Sequence, residues 1–287
     1  MNEYVIFTDS SSDLPVELAE ELGIKTIQLD VRIGDGPSRP NNQVDIKEFY
    51  SDLRNGKMAQ TSAAPIEAFK NAFTPTLEEG KDILYLGFSS ALSSTYNWGK
   101  VAAEELSEAY TERKLITVDT LAASMGQGLL IWYAAKKKAE GATIEEVSAF
   151  IEENKLHLCH WFTVDDLFFL KRGGRVSATT AVVGTMLSIK PVLHVDDEGR
   201  LINVSKARGR KGSIVAMANK MKETAIDPEN QTVFISHGDC IEDVETLKEI
   251  IKREMNVKEF IVSPVGPVIG SHSGPGTLAL FFLGTKR

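Results

Sequence analysis

Hydroxyl side chains gather at three points of this sequence: Thr8-Asp9-Ser10-Ser11-Ser12, Ser89-Ser90-Ala91-Leu92-Ser93-Ser94-Thr95, and Asp119-Thr120 leading to Ser124. Each follows a short aliphatic or β-branched run and precedes a helical pattern. In an α/β sheet, ligands bind beyond the carboxyl ends of the strands, where helix N-termini offer unpaired amide N–H groups to anions. Hydroxyls clustered there, together with Thr61-Ser62 ahead of a further helix, fit a small acid group as ligand. Each serine or threonine taken alone fits a helix N-cap equally well, so both readings stay open.

The histidines divide similarly. His272 lies in Gly270-Ser271-His272-Ser273-Gly274-Pro275-Gly276, where small neighbours permit the close approach of a ligand. A satisfied structural histidine fits the same segment. His237 ends an expected strand, as a turn residue or facing a cleft. His157, Cys159 and His160 are near neighbours, but strand alternation puts the first two on one face and His160 on the other, which argues against a metal site. The two cysteines, Cys159 and Cys240, encode neither a disulfide framework nor a zinc ribbon, and a reducing cytoplasm fits best. The chain has no Walker-type loop, no Gly-x-Gly-x-x-Gly after the first strand, no Gly-x-Ser-x-Gly elbow and no His-Glu-x-x-His. No metal or nucleotide cofactor is therefore expected in this chain.

The elements that must position these groups follow from periodicity. Tyr4 to Thr8, Lys25 to Ile33, Asp82 to Ser89 and Lys114 to Asp119 read as strands. Residues 15–22, 45–55, 65–78, 95–109, 121–139 and 143–155 read as helices. Ser12 or Asp13 before Pro15, and Thr143 before Glu145-Glu146, fit helix starts. Beyond 156 the pattern gives a strand at 157–164 and short helices near 165–172 and 178–187. Val192 to Val195 and Leu201 to Lys206 then flank a glycine turn as a hairpin. A helix at 210–224, a strand at 231–236, a helix at 242–255 and strands near 258–263 and 277–283 complete the chain. The fold class is α/β, with two α/β domains: residues 1–155 on a mostly parallel sheet with flanking helices, and 156–287 on a mixed sheet with helices. The segment near 60–76 is expected to pack on the second domain.

A length of 287 residues with 43% apolar side chains supports two such cores. The net charge of −8 argues against nucleic acid as a partner and against a DNA-binding regulator. The uncharged stretch Phe260 to Thr285 is long enough to span a bilayer, but its glycines and prolines would break a spanning helix, so it reads as buried strand and loop. Any membrane contact would be transient. Charge is uneven: residues 1–155 carry 15 basic and 25 acidic side chains, whereas 169–222 carry 11 and 3. Such a basic stretch is a solvated face or a docking surface for an acidic or phosphorylated partner.

Taken in order, Thr8-Asp9-Ser10-Ser11-Ser12-Asp13-Leu14, Thr61-Ser62, Ser89-Ser90-x-Leu92-Ser93-x-Thr95-Tyr96, Val118-Asp119-Thr120, Leu170-Lys171-Arg172-Gly173-Gly174-Arg175-Val176-Ser177, Gly184-x-x-Leu187-x-Ile189-Lys190-Pro191 and Gly266-Pro267-Val268-Ile269-Gly270-x-His272 resemble the DegV family of bacterial fatty-acid-binding proteins. The resemblance spans nearly the whole chain. It implies two α/β domains enclosing a long-chain fatty acid, which a separate ATP-dependent fatty acid kinase phosphorylates on its carboxylate. ATP and metal would then belong to the kinase, and phospholipid metabolism would be the setting. Thr61, Ser62, Ser93 and His272 fall on the family's carboxylate-binding positions, with Ser94 beside them. Ser94 and Asn97 stand where glycine and glutamine are usual, Ala63-Ala64 replace a polar-proline pair, and Gly212 interrupts a basic run.

Phe162, Val164, Leu167, Phe168, Val183, Met186, Leu187, Ile189 and Ile269 are candidates for an acyl tunnel. Lys206, Arg208, Arg210 and Lys211 are expected to project into solvent as the kinase-docking segment. The competing reading is a self-sufficient hydrolase or transferase using Ser93 with His272, which lacks an acidic orienter placed by any motif.

Overall fold

The computed structural model describes residues 3–177 and 189–287. The chain is built on three sheets. The first is parallel, in the order β2 (Lys25–Ile27), β1 (Tyr4–Asp9), β6 (Asp82–Gly87), β7 (Leu115–Asp119). Every residue of β6 is buried, as expected of a parallel strand covered by helices on both faces. Alternation along it divides the core. Ile83 and Tyr85 join Phe69, Phe73, Leu77, Ala102 and Ala103 of the helices Ile66–Glu78 and Thr95–Ala109. Leu84 and Leu86 join the helices Met125–Ala139 and Ile144–Asn154 on the opposite face.

A small antiparallel sheet runs β4 (Arg39–Pro40), β3 (Asp30–Ile33), β5 (Ala59–Ser62). The third sheet is mixed: β10 (Leu201–Arg208), β9 (Ile189–Val195), β8 (Leu158–Thr163), β13 (Leu278–Leu283), β11 (Thr232–His237), β12 (Glu259–Pro264). The helices Gly209–Thr224 and Ile241–Met255 cover one of its faces through Cys159, Trp161, Val233, Ile235, Leu280 and Phe282. Phe162, Leu193, Phe234, Ala279 and Phe281 on the other face share a core with the helix Met125–Ala139. That helix therefore lies between two sheets, which explains why every residue from Met125 to Trp132 is buried.

Five expectations are corrected. The run Lys25–Ile33 is two strands in different sheets, and β5 is a strand although Ala59–Ser62 has no β-rich pattern. The helix expected from 121 begins at Met125, because Leu121 and Ser124 take positive φ values of 49° and 53°. The first helix starts at Val16 with Pro15 before it, and Asp13, at φ 52°, turns its carboxylate elsewhere instead of capping. The Phe260–Thr285 stretch contains a helix, Pro267–Ser273, between β12 and β13. Among the described residues, no helix is long and apolar enough to cross a membrane. The short helix expected near 178–187 lies outside the described residues.

The start at Thr143 is a full capping box, with Thr143 Oγ1 accepting from Glu146 N at 3.2 Å and Glu146 accepting from Thr143 N at 2.8 Å. Thr143→Ala should therefore lower unfolding free energy by about 1 kcal/mol. A urea titration should show a lower midpoint at unchanged slope, and an unchanged midpoint would contradict the cap's role.

Candidate functional site

The hydroxyl-rich turns separate into structural and exposed ones. Thr8 Oγ1 donates to the Leu86 carbonyl (3.0 Å), Thr120 Oγ1 to the Gly87 carbonyl (2.7 Å), and Ser10 Oγ accepts from Leu29 N (3.0 Å), so these groups hold the strand ends together. Asp9 is buried beneath them, accepting from Phe88 N, Tyr85 Oη and Ser11 N, and burial still raises its pKa. The turn after β6 differs. Ser90, Ser93 and Ser94 line a cavity of about 470 Å³, within the usual size of small-ligand pockets. Ser89, at the turn's start, is spent on the Gly199 carbonyl of the β9–β10 hairpin (2.9 Å).

This cavity lies between the carboxyl ends of the first sheet and the inner face of the mixed sheet, and it is graded in polarity. At its mouth are Thr61, Ser93, Ser94, Arg175 and His272, all partly or fully exposed. Inward are Phe162, Leu170, Val195, Val265, Val268, Ala279 and Phe281, all buried. Strand pairing explains the lining: Phe162 sits opposite Ala279, and His160 opposite Phe281, so alternate residues of β8 and β13 face inward while Cys159 and Trp161 face the other core.

At the mouth, His272 Nε2 lies 2.8 Å from Thr61 Oγ1. Its Nδ1 is buried without a hydrogen-bond partner among the described residues. A side chain at residue 173 would collide with this ring, since a Cβ there would fall 2.4 Å from Nδ1, so Gly173 is what lets the helix Leu167–Arg172 close against it. Burial, with Arg175 and Arg172 nearby, pushes the His272 pKa down to about 4. Arg175 Nη2 donates to the Leu92 carbonyl at 3.0 Å and Nη1 to the Gly173 carbonyl, and it forms no ion pair among the described residues. The mouth therefore joins a neutral imidazole, three hydroxyls and a guanidinium that is in no ion pair among the described residues. Ser93 Oγ is 2.8 Å from Thr95 Oγ1 and accepts from Thr95 N, so it is tied to the helix start. Among the described residues, no hydrogen bond connects Ser93 to His272.

The candidates fall in different places. Thr61, Ser93, Ser94 and His272 share the mouth, and Phe162 and Ile269 line the wall. Ser62 is exposed on the opposite face of β5 and does not line the cavity. Val164 and Leu167 are buried in the shared core outside the lining, Phe168 is 51% exposed, and Ile189 is partly buried in β9 away from the lining. Val183, Met186 and Leu187 lie outside the described residues. Lys206, Arg208 and Lys211 are exposed. Arg210, expected in solvent, instead bonds Asp243 at 2.9 Å, because the helix start turns it inward.

Sequence reading used the motif around Arg175 for the family resemblance but gave that residue no place in the site, and it passed over Ser236, Ala279 and Phe281, which strand alternation in β11 and β13 could have supplied. His237 is a turn residue, its Nδ1 accepting from Cys240 N at 3.3 Å. Among the described residues, no group of three or more His, Cys, Asp and Glu side chains could hold a metal.

Because His272 is held below its unfolded pKa, the unfolded chain binds the proton first. The stabilisation of the neutral ring is complete above about pH 6.5 and is lost as pH falls toward about 4. The stability of the wild type relative to His272→Asn should decline across that window, by up to about 1.4 kcal/mol per pH unit. Urea unfolding at stepped pH measures it, and a pH-independent difference would show that the ring is not buried neutral.

A profile of the DegV family, described as an uncharacterised protein family, matches residues 3–285. A DegV domain-containing protein of Clostridium perfringens is 47% identical over 289 residues, covering 100% of this chain and 99% of its own. A protein of Thermotoga maritima named a fatty acid-binding protein is 34% identical over 279 residues, covering 95% of each chain. A DegV structure from Thermus thermophilus, described by its fatty acid binding, superposes with a TM-score of 0.87 at 31% identity, covering 98% of this chain and 99% of the other. The chain belongs to the DegV family.

Proposed function

We propose that this protein binds a long-chain fatty acid in the 470 Å³ cavity and presents its carboxylate to a separate kinase for acyl phosphate formation. The observation that carries the reading is the gradient within one cavity: a polar, cationic mouth at the surface and an apolar, buried interior. An amphiphile with one anionic end matches both halves. In this reading Thr61, Ser93, Ser94, His272 and Arg175 hold the carboxylate, and the tail passes Phe162 toward Phe281. Ser62, outside the cavity, takes no direct part.

The energetics assign the two ends different work. At about 0.8 kcal/mol per buried methylene, a long acyl chain contributes roughly 10 kcal/mol before ordering costs. Each hydrogen bond to the carboxylate adds about 1.5–3 kcal/mol. The tail thus supplies most of the affinity, while the mouth fixes the carboxylate's orientation and exposure. The position of the mouth at the surface supports transfer to a group that a partner brings. Hydrolase chemistry has less support, since Ser93 is bonded to Thr95, and His272 faces Thr61.

Organic extraction of the purified protein followed by mass spectrometry tests the binding. A fatty acid near one per chain is expected, whereas a protein that neither carries nor takes up fatty acid, or that hydrolyses esters unaided, would overturn the reading. Thr61→Ala should weaken fatty acid binding only a few-fold yet reduce phosphorylation by the partner kinase far more, because a misplaced carboxylate loses its reactive geometry. Equal losses would contradict the division of work.

Docking is assigned to the exposed cations Lys206, Arg208 and Lys211, on and just beyond the edge strand β10. Replacing Arg208 and Lys211 with Glu should leave bound lipid unchanged, slow kinase association and flatten its salt dependence. Loss of lipid with normal association would place the segment in the pocket's support instead.

A further inference from the structure

We propose that His160 recognises a hydroxyl group on the acyl chain, so that the preferred ligand of this cavity is a hydroxylated fatty acid. The inference deepens the fatty acid reading above and rests on it. His160 is 1% exposed and lines the inner cavity, on the same face of β8 as Phe162. Neither of its ring nitrogens has a hydrogen-bond partner among the described residues. A cavity wall serving only an alkyl chain has no use for an imidazole, and leaving such polar atoms unpaired costs stability.

The surroundings give the ring no alternative. Phe281 meets it edge-on, with centroids 5.5 Å apart, and Gly126 packs so closely that a Cβ there would fall 2.3 Å from Nε2. The Leu158 carbonyl favours the protonated ring but completes no hydrogen bond with it. His194 Nδ1 is engaged with the His160 backbone carbonyl (2.9 Å) and not with its ring. The Arg287 guanidinium is spent on the carbonyls of Leu158, Leu121, Asp196 and Lys155. Two hydroxyls of the cavity lining are engaged with each other, Ser236 Oγ lying 2.9 Å from Ser124 Oγ, which donates to Asp13 at 2.5 Å.

Burial, with Arg287 and His194 close by, holds the ring well below its ordinary pKa, so it is neutral. A neutral imidazole has one N–H donor and one acceptor nitrogen. An aliphatic hydroxyl can serve both, whereas a keto oxygen serves only the N–H and an alkyl chain serves neither. β8 runs about 3.3 Å per residue, placing His160 roughly 10 Å back from the strand's exit at Thr163. The recognised oxygen therefore lies well down the chain and not beside the carboxylate.

The test is a binding series with stearic acid and hydroxystearic acids whose hydroxyl is moved stepwise along the chain. One position should bind about 3- to 10-fold tighter than stearic acid, the worth of one net hydrogen bond. In His160→Leu that ratio should fall to one, while His160→Gln, which keeps a donor and an acceptor, should retain part of it. If the wild type binds stearic acid at least as tightly as every isomer, or if the preference survives in His160→Leu, the proposal is wrong. The wild-type series stands even where a variant fails to fold. Failure of all these acids to bind would instead remove the fatty acid reading itself.

Discussion

The burial of one helix between two sheets sets the geometry on which the site depends. Met125–Ala139 packs Leu129 and Leu130 into the core it shares with Leu84 and Leu86 of the parallel sheet and with Phe234 and Phe281 of the mixed sheet. A helix that satisfies two apolar faces fixes their spacing, and protein interiors pack too densely to let that spacing drift. The cavity opens where this packing ends, at the helix's start. Ala123 and Ser124 form part of its wall.

The polar groups near that gap are arranged by charge economy. Asp9 and Asp13 are buried, and hydrogen bonds hold them in place without abolishing the penalty of burial. Burial, with Asp9 adding to it, pushes Asp13 up to about 7 against donation from Ser124 and Gly266. Asp13 thereby joins three parts of the chain: its own turn, the start of the long helix through Ser124, and the loop before Pro267–Ser273 through Gly266 N at 3.0 Å. The His272 helix is fixed by this and by Tyr50, whose hydroxyl donates to the Val265 carbonyl at 2.7 Å. At the mouth the balance is reversed, because Arg175 forms no ion pair among the described residues. The interior thus confines its negative charges to structural work and leaves a positive field where an anion can enter.

Much of this was legible in the sequence because period and chemistry agree locally. The four parallel strands, the capping box at Thr143 and the Gly199 hairpin each follow from a few adjacent residues. The turn Ser89–Thr95 and His272 stood out as ligand candidates by type and neighbours. What stayed hidden depends on contacts between distant segments. Ala59–Ser62 becomes a strand only because Asp30–Ile33 offers it an edge, and that pairing decides that Thr61 faces the cavity and Ser62 faces solvent. The inward turn of Arg210 needs Asp243, 33 residues away. His160, dismissed as a metal ligand by alternation, is placed in the cavity wall by that same alternation once β13 is paired beside it.

The central claim is that one amphiphile lies along the cavity with its acid at the mouth. A crystal structure of the protein with palmitic acid measures this directly. The account predicts the carboxylate within hydrogen-bonding distance of Thr61, His272 and Arg175, with the tail running past Phe162 toward His160. A carboxylate found beside His160 with the tail at the mouth, or a fatty acid bound outside the cavity, would contradict it.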